Sequence, residues 1–300
     1  MNGALARVVG CGHPNDSPFQ RNMRLFFSSR LSAASTATVL VFVVLAIAAP
    51  LIAPHDPNES DLFRRLQPPA WMQGGEWGFL LGCDALGRDI LSRIIYGARV
   101  SIFIGAFVIF VATGIGIIAG LAAGYLRGWT DIVISRLVDI LLGFPYLIFA
   151  IALIAMMGPG MQNILLALVY KEWVMPCRVV RGETLAAREV EYVEAARALG
   201  GSRRHIMLRE ILPNIMSPVI VVATIRMAHV IILEASLSFL GLGIQPPTAS
   251  WGSMVADGRS FMLEAWWVST FPGFAILALV LAINVAGQGL RDAFDPKLHD

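Results

Sequence analysis

Charged residues are scarce in this chain. They make up 15% of its 300 residues, whereas hydrophobic residues make up 56%. So little polar surface cannot cover a soluble core of this size, and we therefore expect an integral membrane protein. The net charge is only +2, and the arginines are scattered among hydrophobic segments. This argues against nucleic acid as a partner and leaves the lipid bilayer as the expected surroundings.

Sequence motifs of catalysis and metal binding are missing as well. None of the five histidines is followed by glutamate, so there is no HExxH zinc motif, and there is no GxSxG nucleophile motif. A phosphate-binding P-loop requires Gly-Lys, yet neither lysine follows a glycine. The three cysteines, Cys11, Cys83 and Cys177, form no CxxC pair. We expect unpaired cysteines and no catalytic residue, metal or cofactor in this chain, which disfavours an intramembrane enzyme.

Long hydrophobic segments dominate what is present. A bilayer core about 30 Å thick needs roughly 20 apolar residues per helical span. Six segments satisfy this and predict an all-α membrane protein with about six transmembrane helices, over residues 34–52, 100–123, 132–157, 164–180, 215–240 and 266–285. An even number of spans puts both termini on one side. The segments on that side carry fourteen arginines and lysines against six on the other, so the positive-inside rule places both termini in the cytoplasm.

The spans divide the chain into five predicted regions. Residues 1–33 form a cytoplasmic segment, 34–52 the first helix, 53–99 an extracytoplasmic loop, 100–290 a core with five helices, and 291–300 a cytoplasmic tail. The extracytoplasmic loop becomes amphipathic after Asp89, which predicts an interfacial helix before the second span. The cytoplasmic stretch 181–214 is rich in helix formers. It is broken at Gly200, which is suited to end a helix, and at Ser202, which is suited to cap the next.

Within this cytoplasmic stretch, Glu194, Ala195 and Ala196 are followed by Gly200 and then by Leu212 and Pro213. This pattern resembles the EAA loop of ABC-importer permeases. Alanines allow close approach to a partner, and proline suits the first turn of a helix. The resemblance implies that these six residues belong to a coupling helix that binds a cytoplasmic ATPase subunit. One departure is Glu210, at a position usually held by isoleucine, with Ile211 one step later.

Other stretches are similar to the permeases of dipeptide, oligopeptide and nickel importers. They are 81–89 before the second span, where Cys83 replaces a more usual threonine, 234–252 at the end of the fifth span, and 289–297 at the C-terminus. The resemblance implies a type I ABC importer permease fold. It also implies a homologous second permease, two ATPase subunits that bind ATP and magnesium, and an extracytoplasmic substrate-binding protein. Peptides are the favoured cargo, with nickel or glutathione as alternatives.

A stand-alone ion-coupled carrier is a weaker alternative. Such carriers often consist of two related halves with broken helices at mid-membrane. This chain instead has an asymmetric layout, with one long loop on each side.

Charged residues also occur inside the predicted spans, where each costs about 2.5–3.5 kcal/mol. Arg226 and His229 are three residues apart and share a face of the fifth span, whereas Glu234 needs a partner from another helix. These three either border the translocation path, touching a peptide terminus or a cation, or form structural interhelical contacts. Lys171 and Glu172 interrupt the fourth span, and we expect them to serve packing. Pro176 should kink that span.

Overall fold

The computed structural model describes residues 18–294, and within this range the regular structure is helical, without a β-strand. This confirms the all-α prediction. Parts of the predicted N-terminal segment and C-terminal tail lie outside the described residues. Cys11 also lies outside them. The helices are α1 Pro18–Ser28, α2 Arg30–Ile47, α3 Ala49–Ile52, α4 Ile90–Leu126, α5 Gly128–Gly143, α6 Tyr146–Met157, α7 Met161–Glu172, α8 Val174–Ala187, α9 Glu191–Ala198, α10 Arg203–His205, α11 Leu212–Phe239, α12 Trp251–Gly258 and α13 Trp267–Phe294.

Four helices of the described chain are long and apolar enough to cross a membrane: Arg30–Ile47, Ile90–Leu126, Arg203–Phe239 and Trp267–Phe294. They correspond to the first, second, fifth and sixth predicted spans. The helix predicted after Asp89 does form, but it is not a separate interfacial helix, because α4 continues unbroken for 37 residues. At 1.5 Å per residue α4 is about 55 Å long. It therefore extends well beyond a bilayer core of about 30 Å.

The third and fourth predicted spans each consist of two helices. Helices α5 and α6 meet at a bend of 91° and together could form a fifth span or a re-entrant loop. Helices α7 and α8 contain 12 and 14 residues and join at Trp173. Pro176, which predicted a kink here, lies in the first turn of α8, where its missing N–H would have no intrahelical partner. Hydropathy alone does not reveal such breaks, because it carries no information on backbone direction.

Residues 53–89 fold over the start of α4 and form what we call the loop end of the bundle. Asp84 accepts a hydrogen bond from Arg88 Nε at 2.7 Å, and Arg93 Nη1 donates to the carbonyl of Pro57 at 2.8 Å. Trp267 at the start of α13 donates its indole N–H to the carbonyl of Cys83 at 3.4 Å. Burial raises the pKa of the Cys83 thiol to about 12. Cys83 is buried and has no disulfide partner among the described residues.

Helices α4 and α8 pack through backbone contact. A Cβ atom on Gly116 would lie 2.9 Å from the Cys177 nitrogen, and one on Gly120 would lie 2.7 Å from the Cys177 carbonyl oxygen. One turn further, a Cβ on Gly124 would lie 2.7 Å from Thr184 Cβ. Glycines spaced four apart line one face of a helix, and small residues at such a face let two membrane helices approach closely. This stripe sets the distance between the two helices.

We predict that Gly120→Ala destabilises the protein, because the added methyl group cannot fit against the Cys177 carbonyl. Overpacking of this kind costs about 1–3 kcal/mol. The thermal unfolding midpoint of the purified protein in detergent should fall by several degrees. Gly114→Ala on the same helix is the matched control, since a Cβ there meets no atom within 4 Å. Equal midpoints for the two variants would contradict the packing argument.

Candidate functional site

Helices α9 and α10 form a helical hairpin at the opposite end of the bundle from residues 53–89; we call this the hairpin end. Gly200 has a φ of +79°, the left-handed conformation that was predicted from its place after the helix. The N–H of Gly201 donates to the carbonyl of Ala196 at 3.0 Å. Ser202 caps α10 by accepting from the N–H of His205 at 3.3 Å. The predicted helix, turn and second helix are confirmed.

The hairpin has a buried face and an exposed face. Val193, Ile206 and Ile211 are buried and pack with Val180 of α8 in one apolar cluster. Glu194, Ala195 and Gly200 are exposed, Ala196 is half-buried, and Leu199 is 89% exposed. An exposed surface of small and apolar side chains on a helix that is anchored from behind is suited to bind another protein.

A π-helix at Ile206–Ile211 connects the hairpin to α11. The N–H of Leu212 donates to the carbonyl of Met207, five residues earlier. The wider turn brings Ile206 and Ile211, five residues apart, onto the same buried face and leaves Glu210 half-exposed. This explains the sequence departure at Glu210, because the additional residue in the turn moves the apolar position to 211. The apolar spacing 206, 211, 215 is the sequence signal that could have revealed it.

The six residues predicted for coupling all lie along this segment. Glu194, Ala195 and Ala196 are on α9, Gly200 is in the turn, and Leu212 and Pro213 open α11. Pro213 directly follows the π-helix, in the first turn of α11. The structure thus brings these residues together around one short hairpin.

A second group of polar residues lies between α7 and the middle of α11. Arg226 forms a two-pronged ion pair with Glu172, with Nε–Oε2 at 2.8 Å and Nη2–Oε1 at 2.6 Å. His229 Nδ1 lies 3.3 Å from the same Oε1. The side chain of Glu172 is fully buried, whereas those of Arg226 and His229 are 20% and 40% exposed. Glu172 therefore contacts both basic side chains from the buried side, while both remain partly exposed at the surface of the chain. The sequence predicted only a packing role for Glu172. Its ion pair with Arg226 was not predicted, because the two residues lie on helices that are distant in the sequence.

Lys171 contacts the bend between α5 and α6. Its Nζ donates to the carbonyl of Phe144, which ends α5, and it lies 5.3 Å from the ring centre of Tyr146 and 6.0 Å from that of Phe149. The carbonyl at a helix C-terminus has no intrahelical donor, and a cation is favourable there. Lys171 thus satisfies a backbone group that the bend exposes. The adjacent residues 171 and 172 point to different partners, as expected for neighbours on a helix.

Glu234 does not join the Arg226 cluster. It is fully buried, and the Ser101 hydroxyl donates to its Oε2 at 3.4 Å while the Ser238 hydroxyl donates to its Oε1 at 2.8 Å. The partner from another helix that we expected is therefore a serine of α4. Among the described residues no cation forms an ion pair with it, and no group of three or more His, Cys, Asp and Glu side chains could hold a metal ion.

We predict that Arg226→Leu destabilises the protein strongly, because it leaves the fully buried Glu172 without its main partner. Breaking a buried ion pair from one side costs about 3–5 kcal/mol. The double variant Glu172→Leu with Arg226→Leu should recover most of the lost stability, measured as folded protein recovered from membranes and its unfolding midpoint. The control is Arg99→Leu, which removes an exposed arginine of α4. A double variant no better folded than Arg226→Leu would refute the pairing.

Comparison with known proteins identifies the family. Residues 112–300 match the family described as binding-protein-dependent transport system inner membrane component, and residues 17–69 match the N-terminal TM domain of oligopeptide transport permease C. The chain is 42% identical to the di/tripeptide transport system permease protein DppC of Pseudomonas aeruginosa, covering 100% of this chain and 98% of that one. It is 39% identical to the dipeptide transport system permease protein DppC of Haemophilus influenzae, covering 94% and 96%.

Two further similarities are informative. The glutathione transport system permease protein GsiD of Pectobacterium atrosepticum is 41% identical, covering 94% of this chain and 92% of that one. An inward-facing structure of the MetNI methionine ABC transporter is similar in fold, with a TM-score of 0.56, 18% identity and coverage of 69% of this chain and 98% of that chain. The chain therefore belongs to the family of binding-protein-dependent transport system inner membrane components, the permeases of ABC importers.

Proposed function

We propose that this chain forms half of the translocation path of an ABC importer for dipeptides or short oligopeptides. The observation that carries the proposal is the hairpin at residues 191–205, which is anchored on the bundle from behind and exposes Glu194, Ala195 and Leu199. An anchored hairpin that exposes small and apolar side chains is typical of a surface that binds a soluble protein. The permeases named for di/tripeptides and dipeptides support peptides as the cargo, and the relative named for glutathione makes that tripeptide-like molecule the second candidate.

The proposed orientation puts the hairpin end and both termini in the cytoplasm. The excess of arginine on this side supports it, because positively charged loops are retained in the cytoplasm. Residues 53–89 then face outward, where a substrate-binding protein would deliver cargo.

The proposed complex contains a homologous second permease and two ATPase subunits. The exposed face of the hairpin would sit in a groove of one ATPase subunit, and ATP and magnesium would bind to the ATPases alone. Movement of the hairpin can reach the bundle because Val193 and Ile206 share an apolar cluster with Val180 and Ile215. Helices α8 and α11 thus transmit the motion.

We also propose that Arg226 and His229 border the path, between the two permeases. Their partial exposure on a helix at membrane depth supports this, because an unshielded cation there is unfavourable unless it faces protein or water. Glu172 neutralises Arg226, so the pair presents little net charge to a zwitterionic peptide. The sequence leaves Glu234 either on the same path or in a structural contact, and the two alternatives are tested separately below.

The coupling proposal predicts that Gly200→Val weakens the contact between the hairpin and the ATPase subunit, so that transport is impaired. The left-handed conformation costs a residue with a Cβ about 1–2 kcal/mol or more, so the hairpin tip should change shape. Uptake and ATPase activity stimulated by the binding protein should both fall about tenfold in the reconstituted complex, which matches 1.4 kcal/mol. The matched control is Gly182→Val in α8, because Gly182 has an ordinary helical conformation and a Cβ there meets no atom within 4 Å.

Copurification completes this test. The unaltered chain should bring ATPase subunits with it from detergent, whereas a stand-alone carrier would not. Unchanged activity and uptake in Gly200→Val would argue against a coupling role for the hairpin.

The path proposal predicts that His229→Leu impairs import without uncoupling ATP hydrolysis. The His229 side chain is 40% exposed, so its replacement should lower uptake of a dipeptide about tenfold while stimulated ATPase activity is retained. Thr224→Val on the same helix is the control, since the Thr224 hydroxyl donates to the Ile220 carbonyl of its own helix. Normal uptake by His229→Leu would remove this residue from the path.

A further inference from the structure

Glu234 is the one carboxyl of the membrane-spanning helices whose described contacts are hydroxyl groups alone. Its side chain is fully buried, and Ser101 and Ser238 are 1% and 3% exposed. An ionisable group at this depth normally serves an ion pair or a path. Within residues 18–294 Glu234 has no ion-pair partner, and its side chain has no exposed surface. Its role must therefore follow from the contacts that the two serines make.

Ser238 connects Glu234 to the loop of residues 240–250, which we call the α11–α12 loop. The Ser238 hydroxyl accepts the N–H of Ile244 at 3.4 Å. A Cβ on Gly243 would lie 2.0 Å from this hydroxyl oxygen, and a Cβ on Gly252 would lie 2.8 Å from Ser238 Cβ. The backbone within the loop, at Gly243, and just after it, at Gly252, is therefore packed directly on Ser238. A contact that holds the Ser238 side chain in place therefore also holds the α11–α12 loop in place.

Ser101 connects Glu234 to α4. A second contact nearby joins the same elements, because Trp251, the first residue of α12, donates its indole N–H to the carbonyl of Ile94 in α4 at 2.9 Å. A Cβ on Gly97 would lie 2.6 Å from the Trp251 ring. Helix α4, the end of α11, the α11–α12 loop and the start of α12 thus meet around one carboxyl group. Buried polar networks in which each member has a partner make such junctions rigid.

We propose that Glu234 is a positioning residue that locks the outer ends of α4 and α11 to the α11–α12 loop, so that they move as one unit when the path opens outward. Its chemical task is to accept hydrogen bonds from two hydroxyl groups. It does not bind cargo or a cation. The proposal rests on the proposed import function only for its transport readout.

Two substitutions separate positioning from cargo contact. Gln in place of Glu234 keeps both links, because an amide offers an acceptor and a donor and each serine hydroxyl can serve as either. Leu in place of Glu234 has a similar size and keeps neither. Ser236→Ala is the control, since the exposed Ser236 hydroxyl bonds only the Ile232 carbonyl of its own helix.

The first measurement is hydrogen exchange of the peptide containing Ile244 in the purified complex, which requires no transport. We expect Glu234→Leu to accelerate this exchange about five-fold, the scale of one lost hydrogen bond. Glu234→Gln and Ser236→Ala should match the unaltered protein. If Glu234→Leu does not assemble, Glu234→Met decides, because methionine also lacks the carboxyl oxygens but packs more adaptably, and it leaves the Ser238 hydroxyl that accepts the Ile244 N–H in place. Unchanged exchange in the variant used would overturn the proposal.

The second measurement is peptide uptake with basal and binding-protein-stimulated ATPase activity in vesicles. Glu234→Gln should retain uptake and stimulation, whereas Glu234→Leu should lose stimulation while basal activity remains. Loss of uptake in Glu234→Gln with normal stimulated activity would overturn the proposal and assign Glu234 to the path. If the unaltered complex imports no peptide, the import function fails, while the exchange result still tests the positioning role.

Discussion

The close contact of α4 with α8 is the constraint on which the other features depend. Bilayer lipid is as apolar as the helices, so burial of apolar surface gives no net attraction there, and packing must supply it. The stripe Gly116, Gly120 and Gly124 removes the side chains that would hold the backbones apart. With α8 held in place, its continuation leads to the hairpin, and α7 before it carries Glu172 to Arg226. Displacement of α8 would therefore disturb both ends of the proposed coupling route.

Local features of this fold could be predicted from the sequence, and pairings between distant helices could not. The all-α class and the hairpin turn at Gly200 depend on composition and on residues a few positions apart. The break at Trp173 has a local signal in Pro176, and the bend after Phe144 has one in Pro145, because the residue before a proline disfavours the helical conformation. The partner that satisfies the Phe144 carbonyl, Lys171, is 27 residues away and has no such signal. The ion pair between Glu172 and Arg226 joins residues 54 positions apart, and no local pattern encodes it.

The π-helix is an intermediate case. Ile206, Ile211 and Ile215 mark the buried face, and their spacing of five and then four residues fits a single widened turn. The sequence therefore contained the information, but a 3.6-residue period does not detect it. A position-by-position comparison with the family motif shows this feature only as a substitution at Glu210. The structure shows that the apolar contact is kept at Ile211 and that the backbone accommodates the shift.

The charges at membrane depth have three different physical solutions, and each suggests a different mobility. Glu172 and Arg226 are joined by an ion pair that is costly to break in a medium of low polarity, so α7 and the middle of α11 should stay together. Lys171 binds a backbone carbonyl at a bend, where a modest movement can be absorbed by a flexible side chain. Glu234 joins α4 to the end of α11 through two hydroxyl groups, and the α11–α12 loop is packed on one of them, so these elements should move together. A permease that alternates between two states needs groups of helices that each move as a unit. The ion pair joins α7 to the middle of α11, and the Glu234 network joins the end of α11 to α4. The Lys171 contact at the bend between α5 and α6 is the one that leaves room for movement.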